Sequence, residues 1–186
     1  EEACQSFQDT AEISAKSGDW QAWSESFTED AEYYEHHYGR FQGRDAIRDY
    51  MAYCAELCQK YPDRFIGNFN YNPRWGPENG ALEIEFHVKE YGFKMLKLHT
   101  NMHGYRPDRA LDWLRPAMKM CAKYNVVVLI HTGDGPYSIP TQFYPIIREF
   151  PMVQFIIGHF GVQTGGNYSF EAFWMAMDTP NVVCES

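Results

Sequence analysis

Three histidines each close a short apolar run: His99 in KLH, His131 in VVVLIH and His159 in VQFIIGH. They are separated by 32 and 28 residues, about the length of one strand, a crossover helix and the next parallel strand. The same side chain therefore recurs at the ends of three successive predicted strands. Residues two apart in a strand share a face, so Lys97 goes with His99, Leu129 with His131 and Ile157 with His159. On this reading the three imidazoles aim at one point. Imidazoles held on rigid strands suit zinc or a similar divalent ion, which takes nitrogen and carboxylate ligands and keeps a position open for water in catalytic sites. Such an ion supplies hydroxide near neutral pH for attack on a carbonyl.

The candidate metal ligands are His131 and His159, each followed by small residues, HTGDG and HFG, that let a ligand approach. His159 is also a candidate catalytic residue, as the general base when it is not a ligand. Asp134, three residues after His131, is the second catalytic candidate: it either orients an imidazole or simply forms the Gly-Asp-Gly turn. Lys97 and His99 are candidate substrate-binding residues. A desolvated Lys97 can hold a carboxylate group, be carbamylated, or serve structurally at the mouth of the sheet. His99 and His103 can equally pack or hydrogen-bond within the following loop, and His87 lies in a helical segment as a surface or packing residue. Two histidines are too few for a catalytic zinc unless His99, Lys97, Asp134 or Glu185 joins them.

The elements that must position these residues alternate from Arg64 onward. RFIGNFN, FKMLKLH, VVVLIH, VQFIIGH and NVVCE read as strands, with helical segments ALEIEFHVKEY, PDRALDWLRPAMKMCAKYN (107–125), IPTQFYPIIREFP and NYSFEAFWMAMDTP between them. Leu111, Leu114, Met118, Cys121 and Ala122 recur at helical spacing, and Pro116 should kink that helix or shift its start. Near-continuous apolar strands joined by helices specify an α/β fold with a parallel sheet covered on both faces. In such folds ligands gather past the carboxyl ends of the strands, which is where the histidines stand.

Composition narrows the partners. The chain has 186 residues, 45% hydrophobic and 17% aromatic, enough for a core of one domain or two small ones. Sixteen basic against 25 acidic residues give a net charge of −9, with no Lys/Arg run to follow a phosphate backbone, so nucleic acid is excluded as a partner. No apolar stretch approaches the roughly 20 residues that cross a bilayer, so no membrane partner is expected. Five cysteines without a CxxC pair read as reduced thiols in a cytoplasmic protein, with Cys54 and Cys58, four apart on a helix, as an alternative metal pair. The chain begins with Glu1 and ends in NVVCES just after a strand has started, which reads as a segment of something longer.

The run PDRFIGNFNYNPRWGP, EYGFKMLKLHTNMHGYRPD, VVVLIHTGDGP, FPMVQFIIGHFG and PNVVCES closely resembles amidohydrolase-related metal-dependent hydrolases of the aminocarboxymuconate-semialdehyde decarboxylase type, over about residues 61–186. The resemblance implies a (β/α)₈ TIM barrel of which this chain carries about strands three to seven, hydrolysis or decarboxylation of a small carboxylate-bearing or cyclic substrate, and zinc. It makes His131 the strand-five metal ligand and His159 the water-activating or proton-transferring residue of strand six. The family's HxH pair and last-strand aspartate have no counterpart here. His36 and His37 cannot replace the pair, because adjacent strand residues face opposite ways.

Residues 1–60 read as a mainly helical segment with one short polar strand, YYEHHYGRF. Trp20 and Trp23 share a face, Asp19 caps a helix, and a further helix follows Gly43. FTEDAEYYEHHYGRFQGRDAIRDY resembles the opening of a nuclear-transport-factor-2-like domain of the polyketide-cyclase type, over about residues 1–50. That resemblance implies a small-molecule pocket in which Asp30, His36 or His37 acts, against the plainer reading of a solvated strand. The alternative to an enzyme is a binding module whose open sheet is covered by a second copy of the chain.

Overall fold

The computed structural model describes residues 2–35 and 39–185. Contacts divide the chain into two compact units, Glu1–Ile66 and Gly67–Ser186. The first unit holds helices α1 (Glu2–Ser17) and α2 (Gln21–Ser24), strands β1 (Glu32–Glu35) and β2 (Gly39–Gln42), and helix α3 (Arg44–Lys60). The single predicted strand is two strands paired antiparallel, from Glu32 opposite Gln42 to Glu35 opposite Gly39. His36 and His37 lie outside the described residues, as does the side chain of Cys58. Trp20 and Trp23 meet edge to face at 5.4 Å and, with Ile47, form this unit's core. Asp19 Oδ1 accepts from the Gln21 N–H at 2.9 Å, satisfying one of the donors a helix start leaves over.

The second unit runs β3 (Asn68–Tyr71), α4 (Pro77–Tyr91), β4 (Met95–Leu98), α5 (Thr100–His103), α6 (Leu111–Tyr124), β5 (Val127–Ile130), α7 (Tyr144–Glu149), β6 (Phe155–Ile157), β7 (Val162–Gln163), β8 (Gly166–Asn167), α8 (Ser169–Asp178) and β9 (Val182–Cys184). Strands β3, β4, β5, β6 and β9 form one parallel sheet in that order, the sequence order of the five predicted strands. Leu96, Leu98, Val128, Ile130, Phe155 and Ile157 are fully buried on one face. Each such side chain contributes roughly 1.5–3 kcal/mol by leaving water. Helix α6 lays Leu114, Ala117, Met118 and Cys121 into the core. It begins at Leu111, four residues later than its predicted start, and runs through Pro116. Helix α4 starts on Pro77 and stops at Gly92, whose left-handed φ of 67° closes the last turn. Among the described residues no helix is long and apolar enough to cross a membrane.

Helices α4 and α6 are also tied by charge. The Glu85 carboxylate accepts from the Tyr124 hydroxyl, from Lys89 at 2.9 Å and from Lys123 at 3.3 Å. The Tyr124 hydrogen bond first, then the two lysines, hold its pKa down at about 2. A folded-state pKa below the unfolded one stabilises the fold above the unfolded value of 4.5 and loses that contribution as pH falls toward 2. Thermal unfolding of Glu85→Gln is expected to begin below wild type at pH 7, with the gap closing between pH 4.5 and 2. A gap of constant size across that range would contradict the assignment.

Candidate active site

Strand register fixes which side chains can meet. Asn70 pairs with Lys97, Lys97 with Leu129, Leu129 with Ile156 and Ile156 with Val183. These five residues form one row on the face opposite the buried aliphatic layer. Two residues further along each strand, the next row of that face is His99, His131, Gly158 and Glu185. The glycine, not His159, occupies the β6 position. Ile157 belongs to the other face, beside Ile130 and Cys184, so the shared face expected for Ile157 and His159 would bury the imidazole among apolar side chains.

The structure reaches the expected cluster by a different route. Past Gly158 the chain leaves the extended region, with His159 at φ 61°, ψ 15° and Phe160 at φ 48°, ψ 32°, followed by Gly161 at φ 73°. Two consecutive non-glycine residues in the left-handed region cost about 1–3 kcal/mol each. The turn swings His159 back to the site face, where its ring centroid lies 4.8 Å from that of His131. Gly158 leaves the room: a Cβ there would stand 2.9 Å from the Ile130 carbonyl oxygen and 3.3 Å from Glu185 Oε2.

His131, buried to 7% exposure, is bonded at both nitrogens. Its Nε2 is 2.8 Å from Asp134 Oδ2, and its Nδ1 is 3.1 Å from His159 Nε2. Asp134 is a carboxylate: burial pushes its pKa up, but hydrogen bonds from His131 and the Gly165 N–H outweigh this and hold it below the ordinary range. A carboxylate only accepts, so His131 Nε2–H donates to Asp134. In the neutral His131 ring, that proton on Nε2 leaves Nδ1 to accept from His159 Nε2–H, and His159 then carries its lone pair on Nδ1. Burial, then repulsion from His131 and Lys97, lowers the His159 pKa and keeps the ring neutral at pH 7.

The remaining candidates surround this series. His99 stacks on His131 with centroids 3.8 Å apart and planes 14° from parallel. Its Nδ1 accepts from the Met102 N–H at 3.3 Å, capping α5, so Nε2 carries the proton. Burial first, then His131 and Lys97, push its pKa down to about 4. Lys97 sits below His99 on the same face, its pKa lowered by burial and partly restored by the charge of Glu185. Sequence reasoning named Glu185 only as a spare ligand, although its alternation with Val183 places it in the site row. Among the described residues no three His, Cys, Asp or Glu side chains are arranged to hold a metal ion. The rings expected to converge on zinc bond to each other instead, and the one lone pair of the neutral His131 ring, on Nδ1, is taken by His159. The donor set as it stands does not fit the metal.

Asp134 is aimed by its loop, held largely by Asn101 of α5. Asn101 Nδ2 donates to the carbonyls of Asp134 at 2.9 Å and Gly135 at 3.1 Å, while its Oδ1 accepts from the Tyr137 N–H at 3.0 Å. Ser138 Oγ donates to the Asp134 carbonyl as well. Nothing in the sequence pattern singled out Asn101. Asn101→Ala removes all three of its bonds, each worth about 1 kcal/mol net, so urea unfolding should show a loss of about 1–3 kcal/mol. A variant as stable as wild type would show that Asn101 does not hold the loop.

A family model described as amidohydrolase matches residues 25–186. Its match begins well before residue 61, and no comparison supports the nuclear-transport-factor-2-like resemblance of residues 1–50. The search of curated proteins finds no match. A solved structure of an uncharacterized TIM-barrel protein from Bordetella bronchiseptica aligns with a TM-score of 0.55 and 20% identity, covering 72% of this chain and 47% of that one. The chain thus spans about half the length of that neighbour, and the likeness identifies its sheet as part of a TIM barrel. With the family model covering most of its length, the chain belongs to the amidohydrolase family.

Proposed function

We propose that the chain carries part of the active site of a hydrolase or decarboxylase acting on a small carboxylate-bearing or cyclic substrate, with His159 as its proton-transfer group. The observation that carries this reading is the hydrogen-bonded series His159, His131, Asp134 at the carboxyl rim of the sheet. His159 Nδ1 accepts a proton from water or a substrate hydroxyl, or returns one to a substrate carbon after loss of carbon dioxide. The charge that arrives on His159 is stabilised through His131 by the Asp134 carboxylate, at little reorganisation cost because both partners are already in place. Lys97 is the cation for a substrate carboxylate. Its partial burial strengthens that attraction while lowering its pKa, and the charge of Glu185 offsets part of that lowering. His99 offers its Nε2–H as a further donor.

Zinc is the cofactor that the family resemblance implies. Among the described residues the donor set falls short of the three protein ligands a catalytic zinc takes.

The test is an assay of the chain against small aromatic and unsaturated carboxylates and lactones, following carbon dioxide release and ring opening. Turnover in His159→Gln is expected to fall by a factor of about 10²–10⁴. Equal turnover in the variant would remove His159 from the chemistry. Elemental analysis of the purified chain is expected to find well below one zinc per chain. One tightly held zinc, lost in His131→Ala, would overturn the hydrogen-bonded arrangement in favour of ligation.

A further inference from the structure

The left-handed turn that carries His159 is held from one side by a single buried hydroxyl. Thr132, fully buried, follows His131 directly and so points away from it, toward β6. Its Oγ1 donates to the Gly158 carbonyl at 2.6 Å and accepts from the Gly161 N–H at 3.1 Å. The two groups it binds bracket His159 and Phe160, two consecutive non-glycine residues with positive φ. Both ends of the strained span are therefore fastened to one oxygen, which belongs to the residue next to His159's own hydrogen-bond partner. The Phe160 N–H, bonded to the Glu185 carbonyl at 2.8 Å, adds a fastening from β9.

We propose that Thr132 is a positioning residue: its hydroxyl selects the left-handed turn at His159 and so sets the imidazole against His131. Without it, the Gly158 carbonyl and the Gly161 N–H lose their buried partner, and from the segment after β5 only the His131 ring opposes relaxation of His159 toward extended backbone. Extended backbone at 159 points the ring to the helix-covered face, because Ile157 faces that way and side chains alternate. A threonine chosen only for its methyl would behave differently, since valine would replace it without loss. The inference rests on His159 as the proton-transfer group of the proposed function, but its test needs no turnover.

The experiment compares wild type, Thr132→Ser and Thr132→Val as full 186-residue chains, uniformly ¹⁵N-labelled, with long-range ¹⁵N–¹H spectra of the histidine rings and backbone amide spectra. His159→Gln identifies the His159 signals. In wild type the His159 Nε2 proton, bonded to a nitrogen acceptor, is expected as a separate downfield resonance from a single tautomer. Thr132→Ser keeps the hydroxyl and is expected to keep this resonance. Thr132→Val is expected to lose it, while backbone amide signals of β4 and β5 stay in place. If Thr132→Val does not fold, Thr132→Ala takes its place, with the same loss expected. Retention of the resonance in Thr132→Val or Thr132→Ala overturns the proposal, and so does its loss in Thr132→Ser. A chain without measurable turnover but with this pattern would sink the functional reading and leave the positioning role intact.

Discussion

The hydrogen bond between His159 and His131 depends on a change of backbone hand just past Gly158. In a parallel sheet buried on one face by helices, phase is rigid: register fixes each strand's side chains to one face or the other, and a residue one position out of step lands in the core. His159 is out of step with His99 and His131. It reaches them because two residues adopt a conformation that L-amino acids disfavour. Glycine at 158 supplies the space, and hydrogen bonds from Thr132 and Glu185 keep the turn from relaxing. Strain of this kind persists where surrounding structure over-determines it, and it clusters at functional sites.

Given that turn, the electrostatics of the rim follow. Three imidazoles and an ammonium stand close together, and burial first, then repulsion from His131 and Lys97, lowers the pKa of His99 and His159 and favours their neutral forms. Two carboxylates offset the crowding from opposite sides: Asp134 through His131, and Glu185 near Lys97. The site can thus hold a proton on one imidazole with a carboxylate ready to balance it. A cluster of ligands poised for a cation would instead turn its lone pairs inward. Here the Nδ1 lone pair of His131 and the Nε2 proton of His159 are spent on one another.

Much of the fold was legible in the sequence, and the reason is periodicity. Five apolar runs separated by helix-length segments give the strand order, and Gly92 and Pro77 mark helix α4 by their backbone preferences. The grouping of His99, His131, Asp134 and His159 was also legible from recurrence at strand ends. The route to it was not, because alternation counts in steps of two and cannot register a left-handed turn at a non-glycine residue. Asn101 and Thr132 were invisible for another reason: a polar residue in a loop is ordinary by composition, and its role exists only in the bonds it makes across 26 to 36 positions of chain. The pairing of β1 with β2 escaped notice because a hairpin of four-residue strands reads as one polar stretch.

The most direct measurement is an experimental crystal structure of the chain at a resolution that defines the His159 backbone and the three imidazole planes. The account predicts positive φ at His159 and Phe160, with His159 Nε2 about 3 Å from His131 Nδ1. Extended backbone at residue 159, with its ring packed among the aliphatic side chains behind the sheet, would contradict it.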